Sequence, residues 1–241
     1  FSGPITGTGG LTKVGSGMLT FSGATANTYL GRTFVNNGVL ALNKTPTDGA
    51  IPRDLSIRGG IVRLLASDQI ADASEVAVAA GGRLDMNGFN DYIDRLSGLG
   101  EVNLGPTAGR WLVAGDSGGS FTFDGLLSGA GDFWKFGAGT GILNGNNTLT
   151  GFCYAYDGTL LINGLQPQSI GSVYNGASLG GNGTFKEIAC NGNLSPGASP
   201  GRLTTSNLTM TASAHYYVEL TGPTPVTDYD QIRLNGTNTI G

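Results

Sequence analysis

The chain has 241 residues, of which 39% are hydrophobic and only 12% are charged, and its formal net charge is -4 at pH 7. This much apolar area is enough to offset chain entropy, which excludes a disordered chain, and the acidic balance argues against nucleic-acid binding. Glycine is abundant, with 43 residues, but it follows no G-X-Y period and proline is scarce, which excludes collagen. No apolar run is long enough to span a membrane.

Short alternating runs of three to five residues predict β-strands along the whole chain, with glycine and asparagine marking tight turns between them. Helix should be a minor component, because lysine and glutamate number only four each. The best helical candidate is the segment 67–73. The predicted strands are 19–21, 33–35, 39–42, 55–57, 61–64, 76–78, 83–86, 101–104, 111–113, 121–123, 160–162, 185–188, 208–210 and 217–220.

Two stretches of the chain have nearly the same sequence, G-G-L-T-K-V-G-S-G-M-L-T-F-S-G at 9–23 and G-D-F-W-K-F-G-A-G-T-G-I-L-N-G at 131–145. The paired residues Lys13 and Lys135 lie 122 positions apart, which is about six coils if each coil takes roughly 20 residues. A unit that recurs along a chain usually stacks on its neighbours. The repeat therefore predicts a β-solenoid, with about 11 to 12 coils in all.

The phrase G-x-G-G-L-T-K-x-G-x-G-x-L-T-x-S-G, followed by N-T-Y-x-G-x-T-x-V-N-x-G-x-L-x-L, resembles the autotransporter-associated β-strand repeat, also called the passenger-associated transport repeat. Segment 8–43 matches it closely and segment 129–163 loosely, while segment 172–241 resembles the terminal part of such passengers. The resemblance implies a bacterial, extracellular chain at the cell surface. It also implies an all-β fold, a right-handed parallel β-helix forming one elongated domain over residues 1–241.

On this basis we expect a non-catalytic structural protein, a rigid surface rod or filament subunit with adhesive properties, without metal or cofactor. The alternatives are a glycan-binding adhesin module and a polysaccharide lyase or hydrolase, since enzymes of that kind use clustered carboxylates. The sequence does not show that any such cluster converges. The candidate carboxylates and their basic neighbours are Asp85, Asp91 and Asp94 with Arg83 and Arg95, or Asp228 with Asp230.

Two further motifs resemble functional sites but are better explained as ordinary structural features. The run Gly115-Asp116-Ser117-Gly118-Gly119 matches the residues around the nucleophilic serine of chymotrypsin-like proteases. Those proteases place their catalytic histidine before the serine, whereas the one histidine of this chain, His215, comes after it. A turn at the corner of a coil is the preferred interpretation. The pair Asp228 and Asp230 could contribute to a calcium site, but two carboxylates are few for this ion.

The two cysteines, Cys153 and Cys190, are 37 positions apart and both are expected to point inward. That separation is nearly two coils, or roughly 10 Å of rise, which is too far for a disulfide unless an insertion makes the two coils adjacent. Buried thiols are favoured, and a disulfide stays open as the alternative.

If Cys153 and Ala155 point inward, the aromatic residues between and beside them point outward. This alternation predicts an exposed aromatic interface at Phe152, Tyr154 and Tyr156, fit for a partner protein or for sugar stacking. The ends of the chain read like the interior of a repeat, which predicts head-to-tail contacts through Phe1, Ser2, Ile240 and Gly241. The expected partners are other copies, head to tail or lateral, and cell-surface glycans.

Overall fold

The structure is a computed structural model that describes residues 1–197 and 200–240, with the side chain of residue 240 left undescribed. Within these residues the fold contains 26 β-strands and no α-helix, so the all-β prediction is confirmed. The helical candidate at 67–73 was wrong. Asp68 has a φ of 54°, which an α-helix does not accept, and Ile70 instead forms a parallel bridge with Ile51.

The strands are short, mostly of three to seven residues, with two of nine. In chain order they are β1 (Leu11–Lys13), β2 (Met18–Gly23), β3 (Thr33–Val35), β4 (Val39–Lys44), β5 (Leu55–Ile57), β6 (Ile61–Leu64), β7 (Glu75–Val78), β8 (Arg83–Asp85), β9 (Asp91–Ile93), β10 (Arg95–Ser97), β11 (Glu101–Asn103), β12 (Trp111–Ala114), β13 (Phe121–Phe123), β14 (Leu126–Ser128), β15 (Asp132–Lys135), β16 (Thr140–Leu143), β17 (Phe152–Ala155), β18 (Thr159–Ile162), β19 (Leu165–Val173), β20 (Ser178–Gly181), β21 (Thr184–Cys190), β22 (Asn193–Pro196), β23 (Arg202–Met210), β24 (His215–Tyr216), β25 (Gln231–Leu234) and β26 (Asn238–Ile240).

The named strands pair in parallel and stack into a solenoid with three faces. The first face runs through β1, β3, β5, β7 and β10, crosses by a parallel bridge between Gly98 and Phe123, and continues through β13, β16, β18, β20, β22 and β24. The parallel β-solenoid predicted from the repeat is therefore confirmed. The first face has eleven rungs, so the molecule makes about ten turns.

The second face consists of β2, β4, β6, β8, β11 and β14. It continues through Asn147, whose backbone amide donates to the carbonyl of Leu165, into the first residues of β19, β21 and β23. The third face runs from β9 through β12, β15, β17, β19, β21 and β23 to β26. The long strands β19, β21 and β23 therefore bend around a corner and serve two faces, with a register shift in the pairing of β19 with β21.

The expected 11 to 12 coils exceeded the observed number because some of the chain does not take part in the ladder. Segment 217–230 was partly assigned to a strand at 217–220, which was wrong. It forms a loop instead, in which Leu220 and Tyr229 make an antiparallel bridge. Coil length also varies, from 15 residues between the paired Ser178 and Asn193 to 30 between the paired Leu208 and Asn238.

The core lies inside the solenoid and is built by strict alternation along each strand. In β6 and β7, for example, every second residue is buried. The inward residues of successive turns form one continuous apolar cluster along the length of the molecule. Each fully buried large aliphatic or aromatic side chain contributes roughly 1.5–3 kcal/mol. The largest buried apolar side chains are Phe21, Phe123, Phe133 and Phe185.

The corner between the first and second faces depends on glycine. A Cβ at Gly145 would lie 1.8 Å from the carbonyl oxygen of Gly125, and one at Gly164 would lie 1.9 Å from that of Gly145. Just before these glycines, the side chains of Asn144 and Asn163 hydrogen-bond to each other at 2.8 Å. Successive turns therefore approach through bare backbone at this corner, and polar side chains beside it bind the turns together.

The two copies of the sequence repeat fold alike. The side chain of Asn27 accepts a hydrogen bond from the backbone amide of Ile5 at 2.9 Å, and that of Asn147 accepts one from Leu127 at 2.6 Å. The copies do not occupy the same faces, however, since β1 and β2 lie on the first and second faces whereas β15 and β16 lie on the third and first. The separation is five turns and two further faces, rather than six full coils.

Candidate binding surface

An aromatic column runs along the outside of the third face. Four residues of β9, β12, β15 and β17 are in direct register on successive turns, in the order Tyr92, Val113, Trp134 and Tyr154. Trp134 and Tyr154 stack with ring centroids 3.9 Å apart. The column points outward because the residues beside these four, such as Phe133 and Cys153, fill the core.

Aromatic rings flank this column on both sides. Phe136, Tyr156 and Tyr174 follow one another on successive turns, with ring centroids 4.3 Å apart for the first pair and 4.7 Å for the second. On the other side, Phe152 stacks on Tyr154 with centroids 5.1 Å apart. We call the outer aromatic side chains of residues 92–174 on this face the aromatic surface; its members are Tyr92, Trp111, Trp134, Phe136, Phe152, Tyr154, Tyr156 and Tyr174.

The predicted outward strand lies within the aromatic surface. Phe152 is 37% exposed and Tyr156 is 43% exposed, while Tyr154 between them is half-buried under its stacked neighbours. Burial raises the pKa of Tyr154 to about 12, with a smaller contribution from the nearby Asp132 carboxylate. The structure thus places the three residues outward, and their role as an interface remains a prediction.

The sequence alone missed the rest of the aromatic surface, including Trp134 and Tyr174. A signal for Trp134 was present, because the inward Lys135 fixes the direction of its neighbour and the repeat aligns that strand with β17. Tyr174 carried no comparable signal, since its position beside Tyr156 depends on a short turn of only 18 residues.

A cleft of about 200 Å³ opens in the aromatic surface. It is open because the column has an aliphatic residue, Val113, at the turn between Tyr92 and Trp134. Val113 is 2% exposed and is the base of the cleft. The residues that line it are Tyr92, Trp111, Val113, Trp134 and Phe136.

The carboxylates considered for catalysis are held in structural bonds. Asp85 pairs with Arg63 at 2.8 Å and lies 4.0 Å from Arg83. Asp91 is fully buried, where it accepts hydrogen bonds from three backbone amides, and burial raises its pKa well above the ordinary value. Asp94 accepts from Arg95 and from the amide of Gly119.

The remaining candidate acids have backbone partners as well. Asp230 accepts from the amides of Gly201 and Glu219, and Asp228 accepts from that of Thr224. No group of three or more histidine, cysteine, aspartate or glutamate side chains in residues 1–197 and 200–240 could hold a metal ion.

The strand order separates Ser117 from His215. Ser117 lies on the turn after β12, and His215 begins β24, just after β23. On the third face, β23 lies five turns beyond β12. Five strand spacings amount to about 24 Å. A base must lie within hydrogen-bond reach of its nucleophile, so this pair does not form a protease site.

Both cysteines are buried as free thiols. Cys153 on β17 and Cys190 on β21 have β19 between them, so their strands are about 9.6 Å apart, and disulfides need Cα atoms within about 7 Å. Burial raises the pKa of Cys153 to about 12 and also raises that of Cys190.

The residues predicted for head-to-tail contact lie near the two ends of the ladder. The backbone of Phe1 pairs with Thr20 and Ser22 of β2, and Ser2 lies directly beside it. Ile240 pairs with Met210 through the backbone. Gly241 is outside the described residues, and end-to-end contact stays a prediction.

The fold and the surface together define a parallel β-solenoid with an aromatic outer face. Comparison with known proteins narrows this class. Residues 11–42 match the sequence model of the passenger-associated-transport-repeat family. The predicted resemblance to the passenger-associated transport repeat is therefore confirmed.

A longer stretch of the chain is similar in sequence to a bacterial adhesin. Over 166 residues it is 35% identical to the adhesin BmaC autotransporter of Brucella suis biovar 1 (strain 1330). The match covers 68% of this chain but only 4% of that adhesin. No solved structure matches significantly. Within residues 1–197 and 200–240, the structure holds no helix that is both long and apolar enough to cross a membrane.

Proposed function

We propose that this chain is a non-catalytic segment of a bacterial surface protein and acts there as a rigid rod. The observation that carries this proposal is the unbroken strand ladder of about ten turns over one continuous core. Such a ladder pairs each turn with its neighbours, so the turns resist independent movement. The passenger repeat and the similarity to an autotransporter adhesin support placement at the cell surface.

The absence of catalysis is part of the proposal. It is supported by the structural bonds of the candidate carboxylates, which are already satisfied by arginines or backbone amides. A glycoside hydrolase requires two carboxyl groups facing an open groove, one of them free to give a proton. Asp91 is enclosed and Asp85 is neutralised by Arg63, so neither fits that role.

Adhesive contact through the aromatic surface is the second part. Exposed aromatic groups of this extent mark contact sites on soluble proteins, because monomers rarely leave large apolar patches uncovered. Cell-surface glycans are one candidate for such a contact, since sugars stack on aromatic rings.

The rod proposal is tested by length and location. Electron microscopy of the purified chain should show particles about 48 Å long, from ten spacings of about 4.8 Å. Deleting residues that make one full turn should shorten them by one spacing without unfolding. An epitope tag in the exposed loop near residue 222 should be detected on intact bacteria that produce the natural protein. Compact round particles would refute the rod. An epitope tag that is detected only after the bacteria are lysed would refute the surface location.

Absence of catalysis has its own test. The purified chain is incubated with a panel of acidic and neutral polysaccharides, and new reducing ends and unsaturated products are measured. We expect none above background. Turnover that is lost on replacing Asp94 with Asn would show that the chain is an enzyme.

A further inference from the structure

The cleft in the aromatic surface has the dimensions of one missing ring. Tyr92 and Trp134 are two strand spacings apart, about 9.6 Å, with only Val113 between them. Aromatic rings prefer centroid distances of about 4.5–7 Å, so one further ring placed midway would contact both. The volume of about 200 Å³ also suits a single ring-bearing side chain.

The same surface also carries exposed rings. Tyr156 is 43% exposed and is stacked on Phe136 with an angle of 21° between the ring planes. Because this stacking follows the turns of the solenoid, the rings lie across its axis and direct their edges outward. Tyr156 directly follows β17, which is two turns from β12, the strand that carries the base of the cleft.

We propose that the aromatic surface pairs side by side with a second copy of this chain, each Tyr156 entering the cleft over Val113 of the other copy. A two-fold axis midway between the cleft and Tyr156 exchanges the two features, so both contacts form at once in an antiparallel pair. Such reciprocal contact is the defining property of an isologous dimer.

The chemistry of the cleft favours a ring from a protein over a sugar. Its side chains offer few polar groups, and the indole nitrogens of Trp111 and Trp134 are buried without a hydrogen-bond partner. A sugar has hydroxyl groups around its ring, and each needs a partner when it leaves water. A tyrosine ring brings a single hydroxyl group, at its tip, so far fewer polar groups need partners, which makes a second copy the better occupant.

The test measures association of the purified chain by sedimentation equilibrium over a wide range of concentration. Tyr156→Ser removes the entering ring, and Val113→Tyr fills the cleft. Each variant alone should weaken the dimer at least tenfold. Tyr217→Ser is the matched control, because Tyr217 is 54% exposed but lies outside the aromatic surface, and it should leave association unchanged.

Mixing the two variants separates loss of contact from loss of fold. Tyr156→Ser retains an intact cleft and Val113→Tyr retains an intact ring, so the mixture can form one complete contact. It should therefore associate more tightly than either variant alone. A monomeric wild type at all concentrations, a dimer that resists both variants, or a monomer that binds soluble glycans through Tyr156 would overturn the pairing. Each of these outcomes leaves the rod proposal standing, since its length and location are measured separately.

Discussion

Lys13 and Lys135 make the same three hydrogen bonds on different faces of the solenoid. Each ammonium group donates to the carbonyl oxygens of the two residues that follow it and to one carbonyl of the next turn, that of Asn37 for Lys13 and that of Asp157 for Lys135. The distances lie between 2.7 and 3.2 Å in both copies. The repeat thus specifies a local corner of the backbone that a buried lysine holds together. It does not specify on which face of the solenoid that corner lies.

Replacing Lys135 with Met should destabilise the protein by about 2–4 kcal/mol, because the variant leaves buried carbonyl groups without their donor. The lysine is fully buried, so water cannot take over these bonds without opening the corner. Urea unfolding at pH 7 measures the change. Lys186→Met is the control on an exposed position of β21 and should alter stability by less than about 0.5 kcal/mol. Equal effects of the two substitutions would contradict a structural role for the buried ammonium group.

The glycine corner predicts a second large effect. Gly164→Ala should destabilise the protein by about 2–4 kcal/mol, since the new Cβ would lie 1.9 Å from the carbonyl oxygen of Gly145 and the two turns must separate. Thermal unfolding followed by circular dichroism is the measurement. Gly17→Ala is the matched control, with nothing within 4 Å of its new Cβ. If both variants melt with the wild type, successive turns are not in close contact at this corner.

The sequence alone was enough to predict features that depend on one strand or one repeat, but not features that depend on the register between turns. Alternation along one strand was enough to place Phe152, Tyr154 and Tyr156 outward, and the repeat was enough for the parallel solenoid. Assembly of the aromatic surface from strands far apart in sequence requires the register between turns, which changes within this surface from 21 residues between Tyr92 and Val113 to 18 between Tyr154 and Ser172. A fixed period of 20 therefore misses the register of Trp134 with Tyr92, and it aligns Trp134 with residue 174 where the structure has Ser172.

The two cysteine thiols should not react with thiol reagents while the protein is folded. Cys153 and Cys190 are buried and burial raises the pKa of both, so neither forms the thiolate that reacts with disulfide reagents near neutral pH. Titration with Ellman's reagent should detect no thiol in native protein and two per chain in 6 M guanidinium chloride. Detection of no thiol even after unfolding without reductant would instead indicate the disulfide that the sequence left open.

Asp48 makes stability depend on pH in an unusual direction for a carboxylate. Burial, followed by the negative charges of Asp72 and Asp68, raises the pKa of Asp48 to about 6. Between the unfolded pKa of about 3.9 and this value the folded state binds the proton more tightly than the unfolded state does. The contribution of Asp48 to stability is therefore full below pH 4 and is lost as the pH rises through 6.

Asp48→Asn removes this titration while keeping the backbone conformation, because asparagine tolerates the φ of 55° found there. The variant should match the wild type below pH 4 and become more stable than it between pH 4 and 6, with a constant difference above about pH 6.5. Urea unfolding of both proteins from pH 3.5 to 7.5 gives this difference directly, so other titrating groups such as Asp54 cancel. Asp68→Asn should move the midpoint of the wild-type change to lower pH, since it removes one of the repelling charges. A difference that does not change with pH would show that Asp48 titrates as it does in the unfolded chain.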